Sequence, residues 1–129
     1  MMTRRKERGF TLVEMVIVVA VIAILAVVAV PGLMRYEQEA MRAEAYLGLG
    51  LISRMQHEHY YRFRRFAYTL DEVGFLMDRG QSLGPNLWQG RYYKFSIIIP
   101  DMPDAQRYQG LAIGNLDGDA FQDVLFVSW

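Results

Sequence analysis

Cysteine is absent from this 129-residue chain, so neither a disulfide nor a thiolate nucleophile or metal ligand is available to it. An excess of one charge sign is lacking too: 14 Lys and Arg balance 14 Asp and Glu, which removes the basic surplus expected of a generic nucleic-acid binder. No Gly-x-Ser-x-Gly, no phosphate-cradling glycine loop and no paired acids on a recognisable scaffold occur, and the reading is of a protein that is not an enzyme. Histidine is down to two residues, His57 and His59. They are two apart on a helical pattern, where side chains do not share a face, so they make no metal pair. Internal repeats and low-complexity tracts are missing as well.

What is present begins with an apolar run. From Phe10 to Val30 the only polar side chains are Thr11 and Glu14, and at about 1.5 Å per residue this stretch spans a hydrocarbon core of about 30 Å as a helix. Arg4, Arg5, Lys6 and Arg8 precede it, whereas Glu37 and Glu39 outnumber Arg35 just after it. The positive-inside bias therefore predicts a single-pass helix with its N-terminus in the cytoplasm. A secretory signal would have a shorter apolar core, typically about 7 to 15 residues, and a strict Ala-x-Ala site. Here Ala20, Ala23, Ala26 and Ala29 fall three apart instead. Glu14 needs a partner, because a carboxylate in a membrane helix costs at least about 2.5 kcal/mol on insertion scales.

The rest reads as one small α+β domain. After Pro31, where a bend or local melting is expected, the helix continues to about Arg62. Tyr36, Ala40, Ala43, Leu47 and Leu51, widened by Ile52, Met55 and His59, form its expected buried stripe. Gly48 and Gly50 are expected to mark close approach by a sheet. A connecting loop over 67–90 holds Thr69 and Glu72, a possible capping box for a short helix ended by Gly74 or Gly80. Residues 91–129 supply three strands, "RYYKFSIIIP", "YQGLAIG" and "DVLFVSW", with Tyr93, Phe95, Ile97 and Ile99 on the inner face of a small antiparallel sheet.

The stretch "GFTLVEMVIVVAVIAILAVVAVP", with its basic leader, Gly9, Phe10, Thr11, Leu12, Glu14 and Pro31 in order, resembles the N-terminal segment of type IV pilins and of the pseudopilins of type II secretion. The resemblance implies a pilin-like fold, with a long N-terminal helix packed on a small antiparallel sheet. It implies a basic leader over 1–9, a transmembrane and polymerisation helix over 10–30 and an extracytoplasmic domain over 31–129. It implies cleavage between Gly9 and Phe10 by a prepilin peptidase and N-methylation of Phe10. Glu14 then pairs with the amine of a neighbouring Phe10 during assembly. The implied partners are further pilin-like subunits in a homo-oligomeric or mixed filament, the peptidase, an inner-membrane assembly platform and, before assembly, the bacterial inner membrane itself; the mature domain is periplasmic or on a surface filament. Large classical pilins carry a disulfide-bounded C-terminal region, which a cysteine-free chain lacks.

Three functions remain open at this level: a filament subunit, a pseudopilin, or a ligand-binding minor pilin. The last rests on "HYYRFRRF", residues 59–66, whose interleaved arginines and aromatics suit DNA stacking. Loss of nine leader residues would leave an acidic chain, so nucleic acid is the weaker partner. No cofactor is required. Calcium is a candidate at "NLDGDAFQD", where Asn115, Asp117, Asp119 and Asp123 with the Phe121 carbonyl take positions one, three, five, nine and seven of a calcium loop. Ala120 stands where glycine belongs and Phe126 where the bidentate glutamate belongs, which excludes an EF-hand. A plain turn at Asp117-Gly118 is the alternative.

Overall fold

A computed structural model describes residues 9–116, 118–119 and 122–129. The elements are two helices, α1 (Leu12–Phe63) and α2 (Leu70–Val73), followed by β1 (Gln81–Gly84), β2 (Leu87–Gln89), β3 (Tyr93–Ile98), β4 (Gln109–Gly114) and β5 (Asp123–Ser128). The chain divides into two compact units, one ending at Glu37 and the other running from Gln38 to Trp129.

Among the described residues the first unit is helix whose apolar side chains are exposed. Its β-branched run would be poor in an isolated aqueous helix, yet it is helical from Leu12 onward. Its most apolar window has no buried share, and the span is long and apolar enough to cross a membrane. Of the bend or local melting expected at Pro31, the melting does not occur: Pro31 and Gly32 both lie inside α1. A proline removes one intrahelical donor, and here the helical residues on either side carry the helix past it.

The second unit is a five-stranded antiparallel meander, β1 to β5 in sequence order, covered by the C-terminal half of α1. Tyr93, Phe95 and Ile97 of β3 point inward, and the register sets them opposite Gly114, Ala112 and Gly110 of β4. Large side chains on one strand thus face small ones on the next, which opens a trough for the helix. Ala45, Leu49 and Ile52 of α1 fill it together with Phe66, Phe75, Trp88 and Tyr108.

Three expectations need correction. The buried stripe of α1 is Ala45, Gly48, Leu49, Ile52, Gln56 and His59, whereas Tyr36, Ala40, Ala43 and Leu47 are exposed. The helix is apolar on two faces, and only the sheet decides which one it uses. Gly48 does meet the sheet, but Gly50 faces open space. The loop expected over 67–90 contains the β1–β2 hairpin as well as α2. β1 is too short, polar and glycine-containing to show strand alternation, and the pairing slips between Ser82 and Gly84. The short helix itself is as expected: Thr69 Oγ1 accepts from the Glu72 amide, and Gly74 ends it at φ 69°.

Polar side chains close the joints of this unit. Gln56, fully buried, donates to the Ala67 carbonyl at 3.0 Å and accepts from the Ala67 amide at 2.8 Å, acting as a strand would. Asn86 does the same to Ile97, at 2.7 and 3.0 Å. The carboxylate of Glu44 on α1 accepts from the amides of Tyr92 and Tyr93. Gly90 leaves room for it, since a β-carbon there would overlap the Glu44 Oε1.

Candidate functional site

Gly9, Phe10 and Thr11 precede the first helical residue and are exposed, Phe10 at 70%. A peptide bond outside regular structure is open to a peptidase in a way that a helical one is not. Thr11 caps the helix: its Oγ1 accepts from the Glu14 amide at 3.2 Å, and Glu14 Oε2 lies 3.5 Å from the Thr11 amide. This is a reciprocal capping box, which satisfies two of the donors that a helix start leaves free. Sequence reasoning missed this local use of Glu14, although the Thr-x-x-Glu spacing is its signature. The carboxylate is therefore turned back over the first helical turn, toward the Thr11 amide. Residues 1–8 of the basic leader lie outside the described residues.

The aromatic and basic segment 59–66 is divided by its packing. Phe66 is buried against Tyr60 and Tyr108, at 4.8 and 4.7 Å between ring centroids. Arg62 pairs with Glu58 at 2.6 Å, and Arg65 pairs with Glu72 at 2.5 Å while lying over the Tyr68 ring. Arg64 ends the helix with φ 59°. The histidines are engaged separately: His57 Nδ1 is 2.6 Å from the Ser53 carbonyl, and His59 Nδ1 is 3.0 Å from that of Arg65. His59 Nε2 lies 3.4 Å from Glu72. Burial of Glu72 works to raise its pKa, but the hydrogen bonds from Arg65 and from the Tyr68 amide outweigh it and hold the carboxyl below its ordinary value.

Of the calcium candidates, Asp117 and the Phe121 carbonyl lie outside the described residues. Asn115 Oδ1 accepts from the Gly118 amide at 2.8 Å, and its Nδ2 donates to the Asp119 carbonyl at 2.9 Å. Gly118 has φ 73°. Asp123 faces Arg42 of α1 at 3.6 Å. Among the described residues no three acidic, histidine or cysteine side chains converge as a metal site would require.

An uncovered apolar helix that runs on into a small α+β domain is the architecture of a pilin-like subunit. The family model described as the prokaryotic N-terminal methylation motif matches residues 4–30. The chain is also similar to the type IV major pilin protein PilA of Myxococcus xanthus (strain DK1622), with 34% identity over 79 residues, covering 61% of this chain and 36% of that protein. It thus spans about a third of the length of the curated relative. No solved structure is a significant match. Both similarities are to type IV pilins or to the N-terminal motif that this family shares. With the apolar helix, the motif also suggests membrane anchoring.

Proposed function

We propose that this chain is a structural subunit of a type IV pilus-like filament, cut between Gly9 and Phe10, N-methylated on Phe10 and assembled through its N-terminal helix. The observation that carries this reading is the helix itself, apolar for its first half and exposed there among the described residues. In water such a surface is unsustainable, so it belongs in lipid before assembly and against other copies afterwards. The reading is supported further along α1, where Ala40, Ala43 and Leu47, the last 71% exposed, turn away from the sheet. Small and apolar side chains let helices approach closely.

Glu14 has two duties in this proposal. It caps its own helix through Thr11, and on assembly its carboxylate neutralises the Phe10 amine of a neighbour. An intramembrane carboxylate is retained where it has such a partner. Residence in the bacterial inner membrane, N-terminus inside, precedes export to the filament.

Coexpression with a prepilin peptidase, followed by intact mass measurement, tests the processing. A chain beginning at methylated Phe10 is expected, and a retained leader beside an active peptidase would refute the reading. Imaging a deletion strain then separates the roles: lost surface filaments identify a pilus subunit, whereas retained filaments with failed secretion identify a pseudopilin.

A further inference from the structure

Between Glu14 and Arg35 no side chain is charged or able to hydrogen-bond strongly: the 20 residues of 15–34 are aliphatic or Met, with Pro31 and Gly32 among them. At about 1.5 Å per residue they measure about 30 Å as one helix, which is the thickness of a hydrocarbon core. A break at Pro31 would end the membrane span at Val30. α1 instead runs unbroken through Pro31 and Gly32 to Phe63, so the apolar helix ends where Arg35 begins.

Two observations place the outer boundary beyond Val30. Leu33 and Met34 are each 61% exposed, and an apolar groove lined by Val28, Ala29, Gly32 and Leu33 continues along the helix to Tyr36. A span ending at Val30 leaves that surface in water. Arg35 and Tyr36, both exposed, follow it. They are the side chains suited to headgroup depth: a guanidinium reaches lipid phosphate while its methylenes stay among acyl chains, and a phenol pairs an apolar ring with a polar tip. At the other end Glu14, also exposed, is the first charge met.

We propose that the membrane-embedded segment is 15–34, with Arg35 and Tyr36 seated among phospholipid headgroups on one side and Glu14 at headgroup depth on the other. The proposal rests on the membrane reading given above and moves the centre of the span from Ala20 to between Ile24 and Leu25, about 7 Å along the helix. Before assembly the Glu14 carboxylate then keeps its water, and a neighbour's amine is needed only once the subunit leaves the headgroups for a filament. The Gly9–Phe10 bond lies more than one helical turn outside the hydrocarbon, so cutting it disturbs no embedded residue.

The absence of cysteine allows one nitroxide label at a time on the full chain. Single substitutions from Val16→Cys to Leu33→Cys, omitting Pro31 and Gly32, leave Glu14, Arg35 and Tyr36 native. Each labelled chain is placed in phosphatidylcholine vesicles with a hydrocarbon core of about 30 Å. Its access to oxygen, which concentrates at the bilayer centre, is compared with its access to a water-soluble nickel chelate. The oxygen-to-chelate ratio is expected to peak at Ile24 and Leu25, and the label at Leu33 is expected still to favour oxygen. A peak at Ala20, with the Leu33 label favouring the chelate, overturns this placement and leaves the membrane reading standing. Uniform chelate access along the whole series overturns both. Because the peak is read from many positions, a single variant that fails to insert does not remove the test.

Discussion

Gly48 of α1 lies directly against the ring of Phe95 on β3, in a space that a β-carbon would overlap. Phe95 is fully buried, so the ring has nowhere to retreat. Gly48→Ala is expected to destabilise the domain by about 1–2 kcal/mol, because an overlap with three ring atoms puts overpacking at about 2–3 kcal/mol, against a helical gain of about 1 kcal/mol. Gly50, two residues on, meets nothing within 4 Å, and Gly50→Ala should stabilise by about 0.5–1 kcal/mol. Denaturant unfolding of the two variants of the domain from Gln38 onward checks the opposite signs.

Gln56 stands in for a strand by pairing with both backbone groups of Ala67 inside the core. Gln56→Leu keeps the volume close but leaves a buried amide and a buried carbonyl unpaired. At about 1–3 kcal/mol for each group the loss should reach about 2–6 kcal/mol. A loss under about 1 kcal/mol in the same unfolding assay would mean that water replaces the side chain.

The lowered pKa of Glu72 makes stability depend on pH in a definite direction. A carboxyl held below its unfolded value stabilises the fold as the ionised form. That contribution is complete above the ordinary glutamate value of about 4.3 and is lost as pH falls through the lower folded value. Glu72→Gln should therefore lower the midpoint near neutrality and flatten its acid-side decline. An unchanged decline in the variant would assign acid sensitivity to other carboxyls.

Calcium at the Asn115–Asp123 loop is proposed from the spacing of its oxygens, and thermal unfolding decides it. The expectation is a higher midpoint in millimolar calcium than in chelator, with the difference gone in Asp119→Ala, because an ion that binds only the folded form stabilises it. Equal midpoints for the parent would leave the loop as the turn closed by Asn115 on the Gly118 amide.

Thr11 and Glu14 can be separated by mutation. Glu14→Gln keeps an acceptor for the Thr11 amide but removes the charge, whereas Thr11→Val removes the hydroxyl cap and keeps the charge. If neutralising a neighbour's amine is the larger duty, filament yield from mixed expression should fall strongly for Glu14→Gln and modestly for Thr11→Val. Equal losses would make helix capping the dominant role.

Much of this protein was legible in its residues because the signals are local. An apolar run long enough to cross a membrane, a glycine before Phe10, Thr69 three residues ahead of Glu72, and the alternation Tyr93, Phe95, Ile97, Ile99 each depend on spacing along one segment. The helix, its exposure in the first unit, the short capped helix and the three long strands follow from such spacing. The Thr11–Glu14 capping box is equally local, since it needs only the Thr-x-x-Glu spacing.

What the tertiary structure decided are the choices between locally equivalent options. α1 carries two apolar faces, and nothing within the helix ranks Ala40, Ala43 and Leu47 against Ala45, Leu49 and Ile52. The sheet selects the second face because Gly48 alone admits the Phe95 ring while Gly110 of β4 sits beneath Ile52. The β1–β2 hairpin, too weak in pattern to be read, forms because β3 offers β2 a partner. Gln56, Glu44 and Asn86 are ordinary polar residues until the fold brings Ala67, the Tyr92–Tyr93 amides and Ile97 to them. The sequence by itself determined which segments are helix, strand or membrane-length, since these depend on neighbours along the chain. Only packing determined which face each segment turns inward, since that depends on the shape of a partner far away in sequence.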